Sequence, residues 1–294
     1  MLQRIAFFII DLFARLPLRA LYVISDLLYP IVHYLVRYRL AVVRKNLRKA
    51  FPEKSESELR SIERRFYRYF CDLTVETLKA SRMSEDEFRR RVIFSGLEFV
   101  QESVDEENGR DFSVCYLGHF GNWEWLVSIP LHTGKVGMAQ IYHPLRNKAF
   151  DRWMLANRSR FGGVNVPMKQ TLRRMMQLRK EKTALGYRGF LLGCIADQLP
   201  KRENVHHTIN FLHQPTGVFT GSERIGQMFN ASYLYVRISR PRRGYYHVSF
   251  EPLVPQDSAP ESEYPITDEY FRRFEADIQH TPHLWLWTHD RWKR

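Results

Sequence analysis

The chain has 294 residues, 44% hydrophobic and 26% charged, which is typical of a folded protein and excludes an intrinsically disordered one. Its formal net charge of +13 at pH 7 favours anionic partners: nucleic acid, acidic proteins, phosphorylated substrates or anionic lipid. The three cysteines, Cys71, Cys115 and Cys194, have apolar neighbours and no metal-binding or redox spacing. They indicate inert thiols in a protein core.

The N-terminal segment combines apolar and basic stretches. Its first apolar run contains Asp11 and Arg15 and is followed by no small-residue cleavage site, unlike a signal peptide. The longest uncharged run, 27–36, has 10 residues, whereas a bilayer span takes about 20. Six Lys or Arg and no acid follow at 37–49, a block that anionic lipid attracts. Residues 1–50 are therefore predicted to be a membrane-associating helical segment with a basic flank. The alternative is an amphipathic helix packed on its own protein.

Near Val92 the hydrophobic pattern of the sequence changes from helical spacing to short apolar runs. Residues 1–95 have helical patterns almost throughout, with Ser55 and Ser57 as candidate caps after Pro52. Short apolar runs then predict strands at 112–117, 136–142, 190–196, 233–239 and 246–251. Helical patterns lie near 122–132, 147–161, 169–182, 220–229, 267–280 and 283–292. This alternation predicts an α/β fold, a mixed and mostly parallel sheet flanked by helices, with residues 51–294 as one domain.

The stretch LGHFGNWEW, from Leu117 to Trp125, directly follows a predicted buried strand. In α/β folds, ligands bind beyond the carboxyl ends of strands. Its glycines allow close backbone approach, and Asn122 can cap a helix that begins there. Residues five apart on one helix point about 140° apart, so a His119–Glu124 bond requires His119 in the loop before that helix. The pair then offers a general base and an orienting carboxylate. The alternative is a core histidine bonded to a nearby glutamate.

An electropositive segment follows. Between Tyr142 and Lys180 there are ten Lys or Arg and a single acid, Asp151. Arg158 and Arg160 stand just before two glycines at the predicted end of a helix, and guanidinium groups suit phosphate or carboxylate binding. Such a run also fits a solvated helix face.

Two later segments carry polar or aromatic side chains. The predicted strand in GCIADQLPK ends at Asp197 and Gln198, at the presumed carboxyl edge of the sheet. The closing PHLWLWTHDRWK is rich in tryptophan and basic residues, which suits either a membrane interface or a helix packed on the sheet.

Four blocks together resemble one family. HFGNWEW after a strand, PLRNKAFDRWMLANRSRFG, ADQ…FLHQPTGVFTGSERI and PHLWLWTHDRWK occur in the order seen in bacterial lipid A late (lauroyl/myristoyl) acyltransferases. The N-terminal stretch LPLRALYVISDLLYPIVHYLVRYRLAVVRKNLRKAFPEKSESELRSI, residues 16–62, is similar to that family too, so the resemblance covers almost the whole chain. The insert PKRENVHHTIN departs from the family pattern, in a part that borders the expected acceptor pocket.

The resemblance implies a glycerolipid-acyltransferase-type enzyme of the bacterial inner membrane whose catalytic domain faces the cytoplasm. It implies transfer of an acyl chain from acyl-acyl carrier protein, or acyl-CoA, to a hydroxyl of a phosphate-bearing lipid acceptor. It carries over His119 as general base, Glu124 as its partner and Arg158 as a group that helps to hold the acceptor or stabilises charge. Candidate substrate-binding residues are Asn122, Arg158, Arg160, Asp197 and Gln198. The chemistry requires no metal, cofactor or covalent enzyme intermediate.

Two alternatives stay open at the sequence level. The same chemistry could act on a lysophospholipid, a phosphatidylinositol mannoside or an aminolipid. A basic membrane-surface protein without catalysis would instead bind anionic lipid or nucleic acid with a steep salt dependence. The sequence contains no recognisable nucleic-acid-binding motif, so we expect no nucleic-acid partner.

Overall fold

Helices account for nearly all of the chain before Val92, as the sequence predicts. The computed structural model describes residues 2–256 and 261–293, with only the backbone of residues 2–7. This part contains α1 (Leu2–Arg15), α2 (Leu18–Pro30), a π-helix (Ile31–Leu35), α3 (Leu40–Ala50), α4 (Glu56–Ala80) and α5 (Glu85–Arg91). The longest helix, α4, begins with a capping box in which Ser55 and Glu58 bond each other's backbone N–H groups.

The second part of the chain builds the sheet. Its strands are β1 (Val92–Ser95), β2 (Phe112–Leu117), β3 (Val136–Tyr142), β4 (Val164–Pro167), β5 (Gly189–Ile195), β6 (His207–Phe211), β7 (Gln214–Val218), β8 (Ser232–Arg242) and β9 (Tyr245–Pro252). Seven of them form one sheet in the order β1-β9-β8-β2-β5-β3-β4. All neighbours are parallel except β8 and β9, while β6 and β7 form a separate antiparallel hairpin.

Helices pack against this sheet and connect its strands. They are α6 (Leu97–Ser103), α7 (Lys148–Arg158), α8 (Thr171–Glu181), α9 (Gly221–Met228) and α10 (Pro265–His280). The α/β class with a mixed, mostly parallel sheet flanked by helices is thus confirmed. The parallel arrangement matters for function, because it brings the carboxyl ends of β2 and β5 side by side.

The predicted strands are all present, but four observed strands lack a sequence signal. The strands β1 and β4 are only four residues long, too short for an alternating pattern to stand out. The hairpin strands β6 and β7 are each interrupted by polar residues, so neither forms an apolar run in the sequence. Part of the PKRENVHHTIN insert therefore forms a strand instead of a loop.

Two predicted helices take a different form. Near 122–132 the chain forms a 3₁₀ helix, Trp123–Leu131, which contains Pro130. The helix predicted at 283–292 is wrong, because a 3₁₀ turn at Pro282–Leu284 is the only helical part. The indoles of Trp285 and Trp287 are buried, a bridge pairs Trp285 with Phe120, and turns follow it. Tertiary pairing has overridden the helical pattern there.

The helix α2 is amphipathic and packs on α4. Its buried positions are Leu18, Leu21, Ser25 and Tyr29, which recur at helical spacing. The opposite side, continued by the π-helix, exposes a stripe that we call the apolar N-terminal face: Val23, Leu27, Ile31 and Leu35. Within the described part of the chain, no helix combines the length and the apolar character needed to cross a bilayer. The assignment of residues 1–50 as membrane-associating stays a prediction.

The hydrophobic core is shared between the two segments that the sequence divides at residue 50. One buried cluster includes Leu18 and Leu47 from the N-terminal segment, strand residues such as Val114 and Leu192, and Trp292 near the end. The division into 1–50 and 51–294 likewise stays a prediction.

Candidate active site

The site forms where the two central strands end. In the parallel pair β2–β5, Leu117 lies opposite Ile195. Two residues beyond each of these positions are His119 and Asp197. The backbone pairing continues past the strands, since Ala196 N–H donates to Leu117 O over 2.9 Å. Parallel register therefore brings an imidazole and a carboxylate together that are 78 residues apart in sequence.

Asp197 binds His119 through both carboxylate oxygens. His119 Nδ1 lies 2.7 Å from Asp197 Oδ1, and His119 backbone N–H donates to Oδ2 over 3.1 Å. The indole Nε1–H of Trp285 also donates to Oδ2, over 2.8 Å. Burial alone would raise the pKa of Asp197, but the His119 and Trp285 donors outweigh it and lower that pKa to about 2. Asp197 is therefore a carboxylate at neutral pH.

The other imidazole nitrogen is the one available for chemistry. Since the ionised Asp197 accepts from Nδ1–H, the neutral ring presents Nε2 as an acceptor. The amide Nε2 of Gln198, an exposed residue, lies 3.2 Å from His119 Nε2. Trp123 meets the ring edge-to-face with the centroids 4.9 Å apart. Asp197 thus holds the imidazole at Nδ1, while the Gln198 amide at Nε2 is a group that a substrate could replace.

Glu124 has a different partner from the one that the sequence suggests. Its carboxylate binds the Arg158 guanidinium in a bidentate manner, with Nη2–Oε1 at 2.7 Å and Nε–Oε2 at 3.2 Å. The predicted hydrogen-bonded pair of His119 and Glu124 is not confirmed, because the carboxylate on the His119 ring is that of Asp197. The reason is the order of the strands. Because β5 lies beside β2, Asp197 at the end of β5 lies next to the loop that carries His119. Glu124 lies on the 3₁₀ helix and contacts Arg158 at the end of α7.

Two glycines let the loop after β2 take its path. A Cβ at Gly118 would lie 2.2 Å from Cζ of Phe274, so only glycine fits against α10. Gly121 has φ +57°, and a Cβ there would lie 2.5 Å from Cγ2 of Ile238. The close backbone approach predicted for these glycines is thereby confirmed.

The tryptophan-rich C-terminal segment lies across the same loop. Gly121 N–H donates to Leu284 O, and Leu286 N–H donates to His119 O, both over 3.0 Å. The side chains of Trp285, Trp287 and Trp292 are buried. Of the two sequence interpretations of this segment, packing inside the protein is the one observed, although not as a helix.

Helix α4 supports the loop from the opposite side. Tyr69 OH donates to Gly121 O over 2.5 Å, and Asn122 Nδ2 donates to Glu76 Oε2 over 2.8 Å. Asn122 also caps the 3₁₀ helix, since its Oδ1 accepts from Trp125 N–H. The capping role predicted for Asn122 is confirmed, and the residue is only 1% exposed.

The structure separates the remaining predicted residues. Arg158 faces Glu124 at the end of α7, whereas Arg160 donates from Nη1 to Ala80 O at the carboxyl end of α4, over 2.8 Å. Sequence reasoning missed Trp285, Tyr69 and Glu76 as supports of the site. Trp285 stands in a motif that the sequence does single out, but nothing in the sequence distinguishes Glu76 from the other acids of its helix.

Comparison with known families gives the site its chemical context. The model of the family "bacterial lipid A biosynthesis acyltransferase" matches residues 2–294, nearly the entire chain. The chain belongs to this family. No curated protein matches it. Membership in the bacterial lipid A biosynthesis acyltransferase family indicates an enzyme that transfers acyl groups, with an acyl donor and a lipid acceptor as its general partners.

Proposed function

We propose that this family member is a membrane-associated O-acyltransferase whose general base is His119. The donor is acyl-acyl carrier protein or acyl-CoA, and the acceptor is a hydroxyl of a lipid A precursor or a related phosphate-bearing glycolipid. The reaction takes place at the cytoplasmic face of the bacterial inner membrane. The observation that supports the proposal best is the His119–Asp197 pair beyond the ends of β2 and β5.

The reaction needs one proton acceptor and one leaving group. His119 Nε2 takes the acceptor's hydroxyl proton as the oxygen attacks the thioester carbonyl, and a base so placed contributes roughly 10²–10⁴-fold. The tetrahedral intermediate collapses with cleavage of the C–S bond, and the imidazolium returns the proton to the leaving thiolate. Asp197, ionised and buried, fixes the tautomer and stabilises the imidazolium.

The other candidate residues take supporting parts in this proposal. Gln198 occupies the position that the acceptor hydroxyl takes over, and its exposed side chain can rotate away. The Glu124–Arg158 pair borders the site, with Arg158 available to an anionic substrate group. Asn122 positions the loop through its two internal hydrogen bonds. For Arg160, the contact with Ala80 supports an anchoring role more than substrate binding.

The test is mass spectrometry of lipids. Purified protein and its His119→Ala variant are incubated with a mixed acyl-acyl carrier protein pool, or acyl-CoA, and total bacterial lipid. We expect a gain of one acyl chain on a single lipid class with the wild type and none with the variant. The mass of the product identifies acceptor and chain length, including a lysophospholipid, phosphatidylinositol mannoside or aminolipid acceptor. Equal products from both proteins would refute the role of His119, and no product from either would favour the non-catalytic binding protein.

A further inference from the structure

A positively charged pocket is lined in part by Leu199, two residues after Asp197 in the chain. Its volume is about 330 Å³, and it lies between α3, the β6–β7 hairpin and the C-terminal segment. Residues that line it include Lys49, Leu199, Thr208, Thr216, Arg291 and Trp292. Leu199 directly follows Gln198, whose amide reaches His119 Nε2. One residue of the pocket wall therefore directly follows, along the chain, a group that contacts the proposed base.

Arg291 is an unusual component of this pocket. It is only 1% exposed, and its Nη2 donates to Gly217 O, on the pocket wall, over 2.9 Å. Its Nε and Nη1 are buried and have no hydrogen-bond partner among the described residues. Burial lowers the pKa of Arg291 to about 10, with Asp197 and Tyr270 opposing that effect in part. A buried guanidinium with two unused donor nitrogens is costly unless a ligand or water satisfies it.

The described residues that line the pocket supply no counter-charge. They contribute two cations, Lys49 and Arg291, together with threonine hydroxyls and the Gln214 amide, and no carboxylate. The nearby carboxylate, Asp197, already accepts from His119 and Trp285. Arginine with lysine and hydroxyl donors is the donor set that phosphate groups take in proteins.

We propose that this pocket binds a phosphate group of one of the two substrates, held by Arg291 and Lys49. The inference rests on the proposed acyl transfer, because it assigns a substrate subsite to that reaction. The phosphate belongs either to the headgroup of the lipid acceptor or to the phosphopantetheine or nucleotide part of the thioester donor. In both cases it anchors the substrate beside His119, so that binding remote from the reacting atoms orients the hydroxyl or the thioester.

Direct binding tests the pocket without requiring turnover. Inorganic phosphate and pyrophosphate are titrated into the full-length protein by calorimetry. Lys49→Gln serves as the main variant because Lys49 is exposed, and Lys180→Gln, on the exposed side of α8, is the matched control. We expect Lys49→Gln to weaken binding by about tenfold or more, the size of one charge-assisted hydrogen bond, and the control to leave it unchanged. Arg291→Lys, which keeps the charge but loses the planar fork, should weaken it by about tenfold or more if it folds.

No saturable binding by the wild type, or equal binding by wild type and Lys49→Gln, would overturn the proposal and leave water as the partner of the Arg291 nitrogens. If phosphate binds but no lipid is acylated, the proposed function fails and the pocket stands as an anion site. If lipid is acylated but phosphate does not bind, only the pocket assignment fails.

Steady-state kinetics then identify the source of the phosphate. A higher KM for the acceptor in Lys49→Gln, with the donor KM unchanged, assigns the pocket to the lipid headgroup. A higher KM for the thioester assigns it to the donor carrier. If both KM values equal those of the wild type, the pocket does not serve substrate binding and the proposal is wrong.

Discussion

At the residue scale, the central feature is that the two carboxylates considered as partners of His119 have different contacts. Asp197 contacts the imidazole directly, while Glu124 is neutralised by Arg158. An ionised carboxylate that accepts from Nδ1–H, as Asp197 does, makes Nε2 a stronger base. A carboxylate whose charge is neutralised by a guanidinium, as in Glu124, has a much smaller effect on that basicity. The two acids can therefore be distinguished by experiment.

Asp197→Asn is expected to lower kcat by roughly 10²–10⁴-fold, because an amide can hold the wrong imidazole tautomer and cannot stabilise the imidazolium. Glu124→Gln is the comparison, and we expect a smaller loss of kcat that appears together with a change in substrate KM. The measurements are kcat and its pH profile for both variants, with circular dichroism to check the fold. A greater loss of kcat in Glu124→Gln than in Asp197→Asn would restore the pairing of His119 with Glu124.

The proximity of His119 and Asp197 can largely be predicted from the sequence once the strands are assigned. His119 and Asp197 each follow a predicted strand at nearly the same distance, and in a parallel pair such positions meet. The sequence alone does not say that β2 and β5 are neighbours, because β3, β4 and two helices separate them along the chain. The nearer carboxylate in sequence, Glu124, is therefore the one that local reasoning selects.

At the scale of elements, α4 connects the N-terminal helices to the catalytic loop. The Glu76 carboxylate accepts from Tyr22 OH of α2, Asn122 Nδ2 of the loop and Tyr246 OH of β9, at 2.7, 2.8 and 2.6 Å. Burial raises the pKa of Glu76, an effect that Arg240 and the two tyrosine hydroxyls oppose. One fully buried side chain thus joins three elements, and its loss leaves three donors unsatisfied.

Glu76→Ala is expected to destabilise the protein by about 2–4 kcal/mol and to reduce kcat, since the loop after β2 loses the group that holds Asn122. Arg60→Ala, an exposed position on the same helix, is the control and should change stability by less than about 0.5 kcal/mol. Urea unfolding gives the free energy, and turnover is measured below the transition. Full activity in a destabilised Glu76→Ala protein would show that Glu76 serves the fold alone.

The differences between predicted and observed elements have one common cause. The segment at 283–292 has a helical pattern, yet it pairs with the loop after β2 through a bridge at Trp285 and continues in turns, because its indoles fill the core. The short strands β1 and β4 gain their hydrogen bonds from neighbours already in the sheet. Local propensity is a weak preference, and tertiary hydrogen bonds and burial exceed it at these positions.

At the scale of the whole molecule, the N-terminal segment presents an apolar surface but keeps much of its basic charge occupied. Within the block at 37–49, Arg39 donates to Thr288 O, and three side chains form ion pairs: Arg44 with Glu63, Lys45 with Asp290 and Arg48 with Glu56. Charges paired in this way attract anionic lipid less than free ones do. Membrane association, if it occurs through this segment, should therefore depend chiefly on the apolar N-terminal face.

Replacing Leu27 and Leu35 together by serine is expected to lower partitioning into phosphatidylglycerol-containing vesicles by about tenfold or more, because both side chains are exposed on that face. Val254→Ser, an exposed apolar position outside this face, is the control. Co-sedimentation at low and high salt provides the measurement, and we expect the apolar substitutions to matter more than the salt. Unchanged partitioning of the double variant would place any membrane contact elsewhere.

The sequence by itself determined the α/β class, the central strands, the histidine in the loop after β2, the cap at Asn122 and the family. These depend on periodicity, turn chemistry and ordered motifs, which are local properties of a chain. Only the tertiary structure decided that Asp197 is the partner of His119, that Glu124 binds Arg158, and that Arg291 is buried beside a positively charged pocket. Such contacts join residues far apart in sequence, and they follow from which strands become neighbours and which side chains the core can accommodate.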